Sequence, residues 1–233
     1  MTQEKKTLLR YSFKATLPIM AGYLVLGMGF GILLESKGYG WGWALLMSTA
    51  IYAGSMQYVT IDLLAGGASL FAAGIMTVLV NLRHIFYGIA MLKEYKDTGK
   101  KKPYLIFALT DETFSLVAVP SLPDGIQRKE YYFYVSLFDQ CYWIIGSLIG
   151  SLLGNLLTFN TTGIDFAMTA LFVVIFVEQW ESMKQHLPAL TGIVCTAIAL
   201  FFFGAQDFLI PAMLAITLAL FLEKRWLDGG DRE

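Results

Sequence analysis

Apolar residues fill this chain in long blocks separated by short polar stretches, unlike the finer alternation of a half-buried strand or surface helix. A helix that crosses a bilayer needs about 20 predominantly apolar residues. The first block of that length is Ala15–Leu34, which contains Pro18 and is rich in glycine. Trp41–Leu64 follows, opening with two tryptophans of the kind that sit at a membrane interface. Leu70–Leu92 carries Asn81, Arg83 and His84 well inside it, and the short Tyr104–Val119 carries Asp111 and Glu112. Beyond a turn around Pro120–Gly125 come Tyr131–Leu157, Phe166–Val177, Leu187–Phe203 and Phe208–Leu222. The pattern predicts an all-α fold: a polytopic membrane helix bundle of seven or eight segments, the count depending on whether the short ones cross. Residues 1–14 read as a basic cytoplasmic segment, 15–222 as the transmembrane domain and 223–233 as a polar tail.

Composition agrees. Of the 233 residues 56% are hydrophobic and 15% charged, against about 25% charged in a soluble domain. The basic residues are clustered: Lys5, Lys6, Arg10 and Lys14; then Lys93, Lys96, Lys100, Lys101 and Lys102; then Arg128 and Lys129. Each cluster borders a bilayer-length apolar run, so lipid headgroups and topology explain them better than nucleic acid does. Basic residues at both termini argue for two cytoplasmic ends and eight crossings. That count puts the five-lysine loop outside, against the positive-inside rule. The conflict disappears if Trp41–Leu92 does not cross twice, and Tyr52-Ala53-Gly54-Ser55 is where a helix would break.

A trace of internal repetition runs through the chain. Gly27 and Gly31 match Gly146 and Gly150 at an offset of 119, and Tyr23 matches Tyr142 at the same offset. Gln57-Tyr58 is similar to Gln179-Trp180, and Gly74 to Gly192. The repeats would span 11–119 and 130–222, with broken helices, an architecture that places a transporter's substrate at the repeat interface.

The chemistry lies in the intramembrane polar residues. A charge at mid-bilayer costs roughly 2.5–3.5 kcal/mol on insertion scales. Arg83, Asp111 and Glu112 must therefore pair or border a wet cavity, and Arg83 with Asp111 or Glu112 is the natural pair. As a buried pair they would only lock two helices together. In a transporter, Arg83 presents a donor fork suited to the carboxylate of an amino acid. Apolar burial favours the neutral, proton-carrying form of a carboxylic acid, so Asp111, then Glu112, are the candidate proton carriers. The two point about 100° apart on a helix and would not share one cavity. His84 is a candidate relay or a helix-bonding group. Gly54 and Ser55 in Ala53-Gly54-Ser55-Met56-Gln57 either let helices pack closely or open a helix so that its N–H groups meet a carboxylate. Gln57 would add an amide, and Asn81 a second. Asp139 and Glu178 are further intramembrane or interfacial carboxylates without evident partners.

Other readings find little support. Gly27-Met28-Gly29-Phe30-Gly31 has no strand before it and reads as a helix-packing face, as do Gly146, Gly150 and Gly154. Cys141 and Cys195 have no metal-ligand spacing. His84 and His186 lie far apart, and no H-E-x-x-H or G-x-S-x-G pattern supports an intramembrane enzyme. No cofactor or metal is called for.

Five motifs in order carry a family resemblance: Pro18-Ile19-Met20-Ala21-Gly22, Gly27 to Gly31, Tyr52 to Gln57, Asn81-Leu82-Arg83-His84, and Leu109-Thr110-Asp111-Glu112-Thr113. Together they resemble the AzlC family over roughly Phe13 to Leu222. The resemblance implies a large subunit of a two-component permease of the bacterial inner membrane. Such permeases export branched-chain amino acids, here leucine, isoleucine or valine, and are expected to draw on the proton motive force. The resemblance also implies a small hydrophobic AzlD-like partner subunit. Separately, an apolar pocket discriminates one methylene by only about 1–3 kcal/mol, so methionine is a further expected substrate. The alternative is a channel or structural subunit whose partner carries the transport activity.

Overall fold

A computed structural model of the chain describes residues 3–118, 122–123, 125–156, 173, 176–177, 180–181 and 186–230. Every regular element among them is helical. The chain divides into two compact units, Met1–Leu171 and Phe172–Glu233. Four helices are long and apolar enough to cross a membrane. The predicted Phe166–Val177 segment lies largely outside the described residues, as do Glu178 and Gln179.

In the first unit, α1 (Gln3–Ser36) and α7 (Arg128–Leu156) form the spine. Glycines make their crossing close: a Cβ on Gly31 would stand 2.1 Å from the Ser147 carbonyl oxygen, and one on Gly150 2.1 Å from that of Met28. The approaches come in exchanged pairs at the offset seen in the sequence. Gly27 meets Trp143 as Leu24 meets Gly146, and Gly31 meets Ser147 as Met28 meets Gly150. Glu35 accepts a hydrogen bond from Ser151 (2.8 Å), while Ile32 lies against Gly154. Residue numbers rise together along both helices, so α1 and α7 run parallel about a local twofold.

The third long helix of this unit, α4 (Leu70–Met91), runs the opposite way. Met91 and the following Tyr95 pack in one cluster with Leu8 of α1 and Tyr131, Tyr132 and Val135 of α7. The lysine-rich loop after α4 therefore lies at the same end as the starts of α1 and α7. Lys101 there pairs with Glu130, and Arg128 pairs with Glu94 at 3.2 Å. All three basic clusters gather at one end, and the conflict with the positive-inside rule is gone.

The two remaining segments fold back where a simple count would have them cross. The first splits into α2 (Trp41–Ala50) and α3 (Gly54–Ala65). Nine residues of straight helix would separate Ser48 from Gln57 by about 14 Å, yet the Gln57 amide donates to the Ser48 hydroxyl at 3.2 Å. The chain reverses at Tyr52, whose φ of 44° is the one positive value at a non-glycine among the described residues. The second splits into α5 (Lys102–Phe107) and α6 (Asp111–Val117). It climbs α7 from Glu130, which pairs with Lys101, to Gln140, which accepts from Tyr104 (2.8 Å). It then descends past Asp139, which accepts from Thr113 (2.9 Å), to Tyr131, which donates to the Leu116 carbonyl (3.3 Å). Both are re-entrant hairpins, entering from opposite ends.

The second unit contains α8 (Leu187–Asp207), which kinks at Gly204 (φ 72°), and α9 (Leu209–Gly230). Helix α9 continues through most of the stretch that reads as a polar tail. Thr191 of α8 hydrogen-bonds Glu223 of α9.

The glycine crossing gives a direct test. Gly150→Ala and Gly31→Ala drive a Cβ into backbone, an overpacking of at least about 1–3 kcal/mol. Each should lower the melting temperature of the detergent-solubilised protein, whereas Gly22→Ala, with open space around its Cβ, should not.

Candidate functional site

The tips of the two hairpins meet inside the first unit, where the Tyr52 ring lies against Phe107 (centroids 6.2 Å apart). A cavity of about 360 Å³ opens beside them, lined by both tips and by α4. Its apolar wall is Ile51, Met56, Ile106, Phe107 and Leu109; Thr60, Thr77, Asn81 and His84 supply polar groups. This volume is at the lower end of that of small-molecule sites.

Arg83 ties the tips together. Its Nη2 donates to the Asp111 carboxylate (2.9 Å) at the first residue of α6 and to the Ser55 hydroxyl (2.9 Å) in the first turn of α3. Both partners of the ion pair keep some exposure, 30% for Arg83 and 19% for Asp111. The pair is thus partly wetted, the arrangement that makes such charges tolerable at membrane depth. The N-termini of α3 and α6 differ. Thr110 caps α6, its hydroxyl accepting from the Thr113 N–H at 3.2 Å. Ala53 heads α3 with no side-chain cap, so the first N–H groups of α3 lack an intrahelical acceptor.

The sequence-predicted residues fall into three places. Arg83, Ser55 and Asp111 form the bridge. Asn81 and His84 line the cavity on α4, where the Asn81 amide is turned back to the Thr77 carbonyl (2.9 Å) and His84 Nδ1 lies 3.3 Å from the Asn81 carbonyl. Gln57 is away from the cavity and fully buried. Its amide donates to Ser48, which donates to Ser147 (2.9 Å), and its carbonyl accepts from the Trp143 indole (2.8 Å). Gly54 packs on the same indole, a Cβ there lying 3.1 Å from the ring. Gln57 and Gly54 thus seat the first hairpin on α7.

Glu112 turns away from its neighbour, as their separation of about 100° around a helix requires, and accepts from the Tyr23 hydroxyl at 2.6 Å. Asp139, fully buried on α7, accepts from Thr113. Tyr23, Thr110 and Thr113 were missed as functional residues by sequence reasoning. Their one advance signal was Thr110 preceding an acidic helix start, a capping pattern. The cysteines are free, and no metal-binding cluster of His, Cys, Asp or Glu occurs among the described residues.

Spanning-length apolar helices, hairpins that turn back among them and an ion pair joining the hairpin tips are features of an integral membrane protein of the transporter class. Comparison with known proteins narrows the class. The family model described as AzlC protein matches residues 18–157, which include most of the spine, both hairpins and the bridge, and the chain belongs to the AzlC family. It is 44% identical to the branched-chain amino acid transport protein AzlC of Bacillus subtilis, covering 95% of this chain and 87% of that one. An uncharacterized membrane protein of Helicobacter pylori is 43% identical over 93% of this chain and 95% of its own. The inner membrane protein YgaZ of Escherichia coli is 23% identical over 94% and 91%. No solved structure matches.

The interior position of Gln57 can be checked without a transport assay. Gln57→Leu strands the Trp143 N–H and is expected to lower stability by about 1–3 kcal/mol, measured by thermal unfolding of the purified protein without substrate. A Gln57 that served substrate alone would leave that stability unchanged.

Proposed function

We propose that this chain is the large subunit of a secondary transporter that exports branched-chain amino acids, binding its substrate in the cavity where the hairpin tips meet. The observation that carries the reading is that the uncapped start of α3, the tip of the second hairpin and α4 line one cavity, while Arg83 of α4 binds Ser55 and Asp111 in the adjoining turns. Half-helix N-termini in transporters point at the carboxylate of their substrate. Here Gly54, Ser55 and Met56 supply the N–H groups and Arg83 the countercharge, with Asn81 at hand for the polar end of the zwitterion. The aliphatic side chain lies on Ile51, Met56, Ile106 and Phe107. Such an apolar wall distinguishes one methylene by only about 1–3 kcal/mol, so leucine, isoleucine, valine and methionine overlap as substrates. The name of the Bacillus subtilis relative supports this substrate class.

The basic end of the first unit faces the cytoplasm by the positive-inside rule. The first hairpin then enters from outside and the second from inside, so the cavity lies between two gates that open to opposite faces. Outward transport draws on the proton motive force through the carboxyl groups behind the bridge, with His84 beside them as a relay. A small hydrophobic AzlD-like membrane subunit completes the permease, as the family resemblance implies. The reading in which that partner alone carries the activity leaves the cavity chemistry of this chain without a purpose.

The test compares leucine with a leucine analogue that lacks the carboxylate, using vesicles containing this chain and a small hydrophobic AzlD-like subunit. Arg83→Ala should weaken apparent leucine affinity roughly tenfold to a hundredfold, the range of a charge-assisted hydrogen bond, and weaken that for the analogue much less. Equal losses on both would reduce Arg83 to a structural counterion.

A further inference from the structure

Behind the Arg83 bridge, two carboxyl groups are joined by an unbroken chain of hydroxyls. Glu112 meets Tyr23 at 2.6 Å, Tyr23 meets Thr110 at 2.7 Å, Thr110 meets Thr113 at 3.1 Å, and Thr113 meets Asp139 at 2.9 Å. The chain links α1, the second hairpin and α7. Thr113 and Asp139 have no exposure, and Tyr23 and Thr110 have 5% and 6%. Among the described residues, no ion pair includes Glu112 or Asp139.

Counting protons decides the state of this chain. It has four oxygen–oxygen contacts of hydrogen-bond length, and each needs one proton between its oxygens. Three hydroxyls supply three. With both carboxyls ionised, one contact has no proton and opposes lone pairs at short range. Tyr23 shows this, because its single proton can serve Glu112 or Thr110 but not both. The fourth proton must sit on a carboxyl. Asp139 is fully buried and Glu112 partly so, and a second negative charge near a buried carboxylate favours the neutral form of one of them.

We propose that Glu112 and Asp139 share one coupling proton through Tyr23, Thr110 and Thr113, while Asp111 remains the fixed countercharge of Arg83. The proton moves by a concerted shift. Glu112 passes its proton to the Tyr23 oxygen, Tyr23 passes its own to Thr110, Thr110 to Thr113, and Thr113 to Asp139. One proton has then moved from Glu112 to Asp139, every hydroxyl is neutral again, and all hydrogen bonds point the other way. The step takes charge from the neighbourhood of the substrate bridge to the spine helix. It reverses the order of candidates that the sequence suggests, in which Asp111 comes first. The other titratable groups near the relay are Tyr52 at the first tip, Tyr104 on α5, Asp111 on α6, and Tyr131, Cys141 and Tyr142 on α7. Across Asp111 stand Arg83, His84 and Tyr87 of α4. Tyr52 lines the cavity and its hydroxyl lies towards Tyr23, which places it between substrate and relay.

The word "coupling" rests on the transport reading; the shared proton does not, and the experiment separates them. The full chain, co-purified with the small subunit, is examined by infrared spectroscopy at neutral pH for the carbonyl stretch of a protonated carboxyl group. That band should be present in the wild type and in Asp111→Asn, and absent from the Glu112→Gln/Asp139→Asn double variant. Loss of the band in Asp111→Asn, or its survival in the double variant, overturns the assignment. In vesicles, Thr113→Val should abolish the stimulation of leucine transport by a proton gradient, and Thr113→Ser should restore it. Equal stimulation in Thr113→Val and the wild type overturns the relay. A wild-type complex that carries the band but ignores the gradient contradicts the coupling reading alone.

Discussion

The interaction on which the rest depends is the bridge from Arg83 to Asp111 and Ser55. A guanidinium halfway along an apolar helix is costly in a bilayer unless it is paired and partly wetted. Neither partner comes from a full-length helix packed beside α4. Both come from the tips of segments that stop halfway, and this is possible only because each segment breaks and returns. Broken backbone at membrane depth is tolerated where protein buries it or a cavity wets it. Here the break at Ala53 opens onto the cavity, and the ion pair that joins the two tips stays partly exposed. Charge placement, helix breakage and cavity are therefore one arrangement.

The spine makes room for it. Because α1 and α7 approach to backbone contact through glycines, their outer faces are left to hold the hairpins. The first hairpin is seated by Gln57 on Trp143 and by Tyr58 on the Leu26 carbonyl (2.7 Å). The second is seated by Tyr104 on Gln140 and Thr113 on Asp139. Net gain from such bonds is modest, but the cost of leaving buried partners unmade is large. The hairpins are thus specified by polar contacts on a scaffold specified by close packing.

How much of this was legible in the sequence follows from the same physics. Helices α1, α4 and α7 were legible because apolar length alone specifies a spanning helix. The re-entrant hairpins were not legible from composition, since Trp41–Leu64 is as apolar as a crossing helix. The misplaced lysine loop was the one sign, and it pointed to the break at Tyr52. Arg83 with Asp111 was legible as a necessity of charge pairing, and the opposite facing of Glu112 as a consequence of helical geometry. Gln57 went astray because an amide in an apolar segment serves substrate and indole equally well on paper. The relay was illegible because Tyr23 reaches Thr110 and Glu112 across 87 and 89 residues, and common hydroxyls announce no partner.

The central claim is that substrate sits between the hairpin tips, against Arg83. The most direct measurement is the rate at which a maleimide alkylates a cysteine placed at Thr77 on the cavity wall, in a background without Cys141 and Cys195. The account expects leucine to slow that alkylation at concentrations that saturate transport. It expects no such effect at a cysteine placed at Gly38, outside the cavity. Unchanged alkylation at position 77 in a complex that still transports leucine would contradict it.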